Sequence, residues 1–137
     1  MLIILTIHSI VRWVIVLVAV ALIVRLVLGL IRKQPYDKSA RILTTAFTGL
    51  MDTQMLLGIL YLLVDGLGGG TGFPRIRMEH GVAMVLAVIV AHLPAAWKKA
   101  SDHVRMRNTL IAVIVALVII FIGVARLGLQ RWWNITY

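Results

Sequence analysis

Residues 2–31 read LIILTIHSIVRWVIVLVAVALIVRLVLGLI, thirty positions interrupted by only two formal charges, Arg12 and Arg25. A helix rises 1.5 Å per residue and needs about 20 apolar positions to cross a hydrocarbon core of roughly 30 Å, so this stretch is long enough to span a bilayer. Three further runs, at about 42–64, 78–97 and 109–129, meet the same requirement. Together they take up most of a 137-residue chain that is 61% hydrophobic and 14% charged, with mean hydropathy +1.01. Soluble domains carry about twice that share of charge. Runs of this length far exceed the roughly ten residues of a membrane strand, and an open sheet edge finds no partner in lipid. The expected fold class is therefore all-α, a single four-helix transmembrane domain over 1–137 in contact with the lipid bilayer. The first run has neither a basic leader nor a small-residue cleavage site before a soluble domain, and is expected to be a retained helix.

The connections, 32–38, 65–74 and 98–108, are short and rich in Pro, Gly and charge. Short connections make consecutive helices antiparallel neighbours, which gives an up-down-up-down bundle. A net charge of +9 would suggest nucleic acid in a soluble protein. Here the basic residues flank apolar runs, so they read as topology and as contacts to anionic lipid, with no nucleic-acid partner. Arg32, Lys33, Lys38, Arg41, Lys98, Lys99, Arg105 and Arg107 lie on one side, and Arg75, Arg77 and Arg131 on the other. The positive-inside rule puts the richer side in the cytoplasm and both termini outside. Trp132, Trp133 and Tyr137 then form an outer aromatic belt, Trp97 and Tyr36 an inner one, and Arg25 and Arg126 snorkel from the run ends to the headgroups.

Ionisable groups at bilayer depth are costly, and so each is a functional candidate. With the first run centred near Val16 and the third near Val88, His8 and His80 each lie eight residues, about 12 Å, from the middle on the same side. The two runs point the same way and can sit diagonally across a bundle, where such proteins hold cofactors between facing side chains. A b-type haem lying between two such helices takes one imidazole on each face of the iron, from positions at matching depth. The absence of Cys excludes disulfides, thiolate zinc, iron–sulfur clusters and covalently attached haem, which leaves His or Met to hold any redox group. Ser9 stands beside His8 as a candidate partner for its second ring nitrogen. Arg12, one turn deeper, can pair a haem propionate or Asp52. Met84, Ala87, Ala91 and Ala95 stack with His80 in a stripe that either leaves room for a flat ring or admits a neighbouring helix. On these residues alone a second reading stands equally: both histidines are hydrated interfacial groups, with His80 marking a helix start after Pro74, Arg75, Arg77 and Glu79.

His8-Ser9-Ile10-Val11-Arg12-Trp13, Gln54-Met55-Leu56-Leu57-Gly58-Ile59-Leu60-Tyr61 and Met78-Glu79-His80 occur in this order along the first three runs. In these motifs the chain resembles small bacterial four-helix membrane proteins labelled cytochrome b-like. The resemblance implies heme b held by His8 and His80, with Arg12, Trp13 and Gln54 as supporting positions. It implies a bacterial inner-membrane location and names no electron donor or acceptor; one-electron transfer is the expected role, and a chain of this length without a soluble domain is expected to hand electrons to a redox protein partner or quinone. A His can stand near the position of Asp52 in that group, and His92 is not shared with it, so neither Asp52 nor His92 is expected to be a ligand.

Asp52 and Gln54 lie near the middle of the second run among Thr44, Thr45, Thr48, Gly49 and Thr53. Interhelical hydrogen bonds account for such residues, and a quinone or proton contact that includes His92 is the sharper alternative. Pro94 removes the amide that would bond the Val90 carbonyl, so His92 is expected near a kink, and His103 in solvent. Gly68 to Gly72 follow no strand and carry no Lys-Ser/Thr pair, which excludes a phosphate cradle. Nothing in the chain matches hydrolase spacing. Two other functions stay open from sequence: a non-redox structural or assembly subunit of a larger complex, or homo-oligomer, and a haem-free quinone-binding module.

Overall fold

A computed structural model describes residues 2–128 of the chain. Within them α1 spans Leu2–Ile31, α2 Lys38–Leu67, α3 Arg75–His92 and α4 Asp102–Ala125, with a 3₁₀ turn at Leu93–Trp97. Four segments are long and apolar enough to cross a membrane, the third being Arg75–Trp97. The protein is an all-helical, multi-pass membrane bundle. Trp132, Trp133, Tyr137, Arg131 and the last position of the fourth expected run lie outside the described residues.

Apolar-run length marks the buried part of each helix and misses its polar ends. The helix α2 begins at Lys38 rather than 42 because Asp37 caps it, its side chain accepting from the Ala40 amide. The first two turns of α4, expected as loop, are helical from Asp102 onward. There Arg105 lies 4.0 Å from the Tyr36 ring centroid. Tyr36 is consequently no belt residue: it is only 7% exposed, and its hydroxyl meets Thr44 Oγ1 at 2.7 Å. At Pro94 the expected orphan is re-partnered, because the chain tightens to 3₁₀ and the Leu93 amide donates to Val90 O.

Each helix packs on two neighbours: α1 on α2 and α4, α3 on α2 and α4. This places α1 and α3 at opposite corners. Ile15, Ala19, Leu22, Leu26 and Gly29 form the buried stripe of α1, with spacings of four and three that carry one helix face into the bundle. Gly29 admits a neighbouring side chain, since a Cβ there would lie 2.7 Å from Met106 Sδ. Leu17, Val20, Val24 and Ile31 face outward on the same helix, as they must where lipid is the solvent.

We use "upper" for the end that holds the start of α1 and the second loop, and "lower" for the end with loops one and three. At the lower end Arg25 does not snorkel. Its side chain is 17% exposed and pairs with Asp37 at 2.9 Å, and its Nε donates to Ser39 Oγ at 2.9 Å. At the upper end Arg126 pairs with Glu79 at 3.2 Å. The amide of Ala40, the Ser39 hydroxyl and Arg25 hold the Asp37 carboxyl well below the usual carboxylate range. A depressed folded-state pKa stabilises the fold fully above the free carboxylate's value of about 4 and loses that contribution as pH falls through the folded one. Asp37→Ala is therefore expected to lower the melting temperature in detergent at pH 7, with the gap to wild type closing in strong acid. A gap of constant size throughout would show that the carboxylate's charge is irrelevant.

Candidate functional site

The upper half of the bundle holds a partly open cavity of about 340 Å³, within the range of small-molecule sites. All four helices line it. Its walls are mostly Ile, Leu, Val and Met, and its polar side chains include His8, Arg12, Gln54, Arg77 and His80. The two histidines come from the diagonal helices α1 and α3 and meet the same space.

His80 is held by α4. Its Nδ1 lies 3.0 Å from the Gly123 carbonyl oxygen, which can only accept, so Nδ1 carries the proton and Nε2 keeps its lone pair. Gly123 makes this approach possible. A Cβ there would lie 2.9 Å from Ala83 Cβ and 2.6 Å from Met84 Cε. Met84 thus serves two surfaces, the cavity wall and the α3–α4 seam. The alanines stacked below it do not open the cavity: Ala87 and Ala91 are packed in the core, and Ala95 is exposed. Of the two readings of that stripe, close helix approach holds for Ala87 and Ala91.

His8 is held through its backbone. Gln54 Nε2 donates to the His8 carbonyl at 3.0 Å, which ties α2 to α1 beside the cavity. Such a bond between membrane helices contributes about 0.6 kcal/mol on average. The His8 Nδ1 atom is buried without a hydrogen-bond partner. Ser9 does not supply one, because its own hydroxyl is buried and unpartnered. Successive residues on a helix point about 100° apart, so a sequence neighbour is a poor candidate to reach the next ring. Gly58 faces His8, and a Cβ there would sit 3.4 Å from His8 Cε1. Arg12 lines the cavity one turn below His8, with its guanidinium 5.7 Å from the Trp13 ring centroid.

Asp52 and His92 are absent from the cavity lining. His92 Nε2 and Asp52 Oδ1 lie 2.8 Å apart on the α2–α3 flank, the side chains 50% and 42% exposed. Asp52 thus takes His92 rather than Arg12 as its partner, and Gln54 belongs to a different site from these two. The threonines of α2 are largely satisfied within the helix: Thr44, Thr48 and Thr53 each donate to the carbonyl four residues back, at 2.8 Å.

The sequence reading counts Arg77 only as a topological charge, yet it lines the cavity. It pairs with Asp65, which is the last buried residue of α2 rather than the start of a loop. The spacing of three between Arg77 and His80 is the signal that puts them on one face. Among the described residues no group of three or more His, Asp or Glu side chains converges as a metal site. No family model matches the chain, and no curated protein or solved structure matches it.

Proposed function

We propose that the protein is a membrane-embedded b-type cytochrome, with one heme b held between α1 and α3 by His8 and His80, that carries electrons one at a time. The observation that supports this is the pair of imidazoles on diagonal helices lining one apolar cavity. The chemistry of the donor set fits: His80 keeps Nε2 free by spending Nδ1 on Gly123 O, and His8 has a buried, unpartnered ring nitrogen. Two imidazoles do not make a site for a bare ion, but they complete the coordination of a metal that brings four in-plane nitrogens of its own. Bound haem would supply a one-electron iron couple. The protein's part is to fix both rings, through the Gly123 carbonyl and through Gln54 on the His8 backbone, and to exclude water with aliphatic walls. Arg12 brings positive charge to the cavity and favours the more negative state of whatever binds there. The positive-inside count supports an orientation with the upper end and both termini outside, and the proposal takes the bacterial inner membrane as the location and a redox protein or quinone as the partner.

A reduced-minus-oxidised absorption spectrum of protein purified after haem-supplemented expression tests the proposal. A b-type α-band at about one haem per chain is expected; colourless, folded protein would overturn it. The half-exposed Asp52–His92 pair favours a second reading, a haem-free quinone or proton contact on the α2–α3 flank. On that reading a quinone analogue protects Asp52 from carbodiimide labelling, and His92→Gln removes the protection. Labelling indifferent to quinone would exclude it.

A further inference from the structure

Among the described residues Arg12 and Arg77 bring guanidinium groups to the cavity lining, and no carboxylate does. Arg77 is the more firmly built in. It pairs through Nη1 with Asp65 and lies 5.3 Å from the Tyr61 ring centroid. Asp65 is 3% exposed, and the Thr71 hydroxyl donates to it at 2.7 Å. One carboxylate thus fixes the guanidinium from behind. Arginine carries five N–H donors, and among the described residues the Nε and Nη2 groups of Arg77 have no acceptor. Asp65 balances the Arg77 charge without occupying those donors.

Depth separates the two arginines. Both α1 and α3 run from the upper to the lower end. Arg77 precedes His80 by three residues, about 4.5 Å towards the upper end, whereas Arg12 follows His8 by four, about 6 Å towards the bilayer middle. A carboxylate drawn towards Arg12 would lose hydration where hydration is hardest to replace. At Arg77, in the first turn of α3 and beside the second loop, it stays nearer the headgroups and water.

We infer that Arg77 receives the acidic edge of the cavity's ligand, so that haem sits with its two carboxylates towards the second loop and the upper surface. This rests on the haem reading and assigns the ligand's orientation and the residue that selects it. The test is titration of pigment-free protein in detergent with haem and, separately, with haem dimethyl ester, which lacks the charges. Wild type is expected to bind the acid about tenfold more tightly than the ester. Arg77→Gln brings acid affinity down to that of the ester and leaves the ester unchanged, whereas Arg77→Lys and Arg12→Gln each keep most of the preference for the acid.

Arg77→Gln strands the buried Asp65 carboxylate, so circular dichroism checks its fold, and Asp65→Asn combined with Arg77→Gln repeats the test without that charge. Equal affinities in wild type, or a preference lost in Arg12→Gln and kept in Arg77→Gln, would overturn the assignment of Arg77 while haem binding stands. Failure of both tetrapyrroles to bind would instead overturn the haem reading itself.

Discussion

Alanine at either His8 or His80 is expected to lower haem affinity by at least about a hundredfold, so that each variant is isolated without pigment. Loss of a group that merely orients a ligand costs 10–100-fold, and removal of the ligand itself should cost no less. A hundredfold corresponds to about 2.7 kcal/mol. The cavity walls are apolar and all four helices contribute, so truncating one ring leaves the bundle assembled. Addition of imidazole should then refill the space and restore the spectrum of His80→Ala, because the Gly123 carbonyl remains to hold the replacement ring. His92→Ala and His103→Ala, which change rings outside the cavity, should keep their pigment. Pigment retained in both His8→Ala and His80→Ala, or lost only in His92→Ala, would contradict the assignment.

Gly123→Leu is expected to produce the second-largest effect, through the distance between two helices. The nearest fixed atom is Ala83 Cβ, 2.9 Å from where the new Cβ would sit. An alanine methyl cannot rotate away, so α4 must retreat from α3. Overpacking of this kind costs about 1–3 kcal/mol, and the retreat also draws the Gly123 carbonyl from His80. Haem affinity should therefore fall at least about tenfold, more than a comparable loss of stability elsewhere would produce. Gly29→Leu is the control. It crowds the flexible side chains of Met106 and Arg25 at the lower end, and is expected to lower the melting temperature while haem affinity holds. Equal loss of affinity in both variants would mean that the α3–α4 seam has no special bearing on His80.

The four helices are legible in hydropathy because lipid demands long apolar runs, and diagonal placement follows from short connections. What hydropathy misses are polar ends with their own local reasons to be helical, such as Lys38 to Arg41 behind the Asp37 cap. Depth counting selects His8 and His80 from the sequence, and both line one cavity. It cannot find Gly123, whose importance lies in the α3–α4 seam and not in its own neighbours. Arg77 and Asp65 are hidden for a related reason: charges beside a loop read as surface until the helices around them prove longer than their apolar cores. The link between Asp52 and His92 depends on how far two antiparallel helices slide past each other, which loop length alone leaves open. Ser9 shows the converse error, since adjacency in sequence is not adjacency on a helix face.

The central claim is that two imidazoles from opposite corners of the bundle hold a single cofactor. Pulsed electron paramagnetic resonance on oxidised, haem-loaded protein with ¹⁵N-labelled histidine reads this most directly, since it counts the imidazole nitrogens bound to the iron. Two strongly coupled nitrogens are expected in wild type and one in His80→Ala rescued with unlabelled imidazole. A wild-type signal from one imidazole or none would contradict the claim.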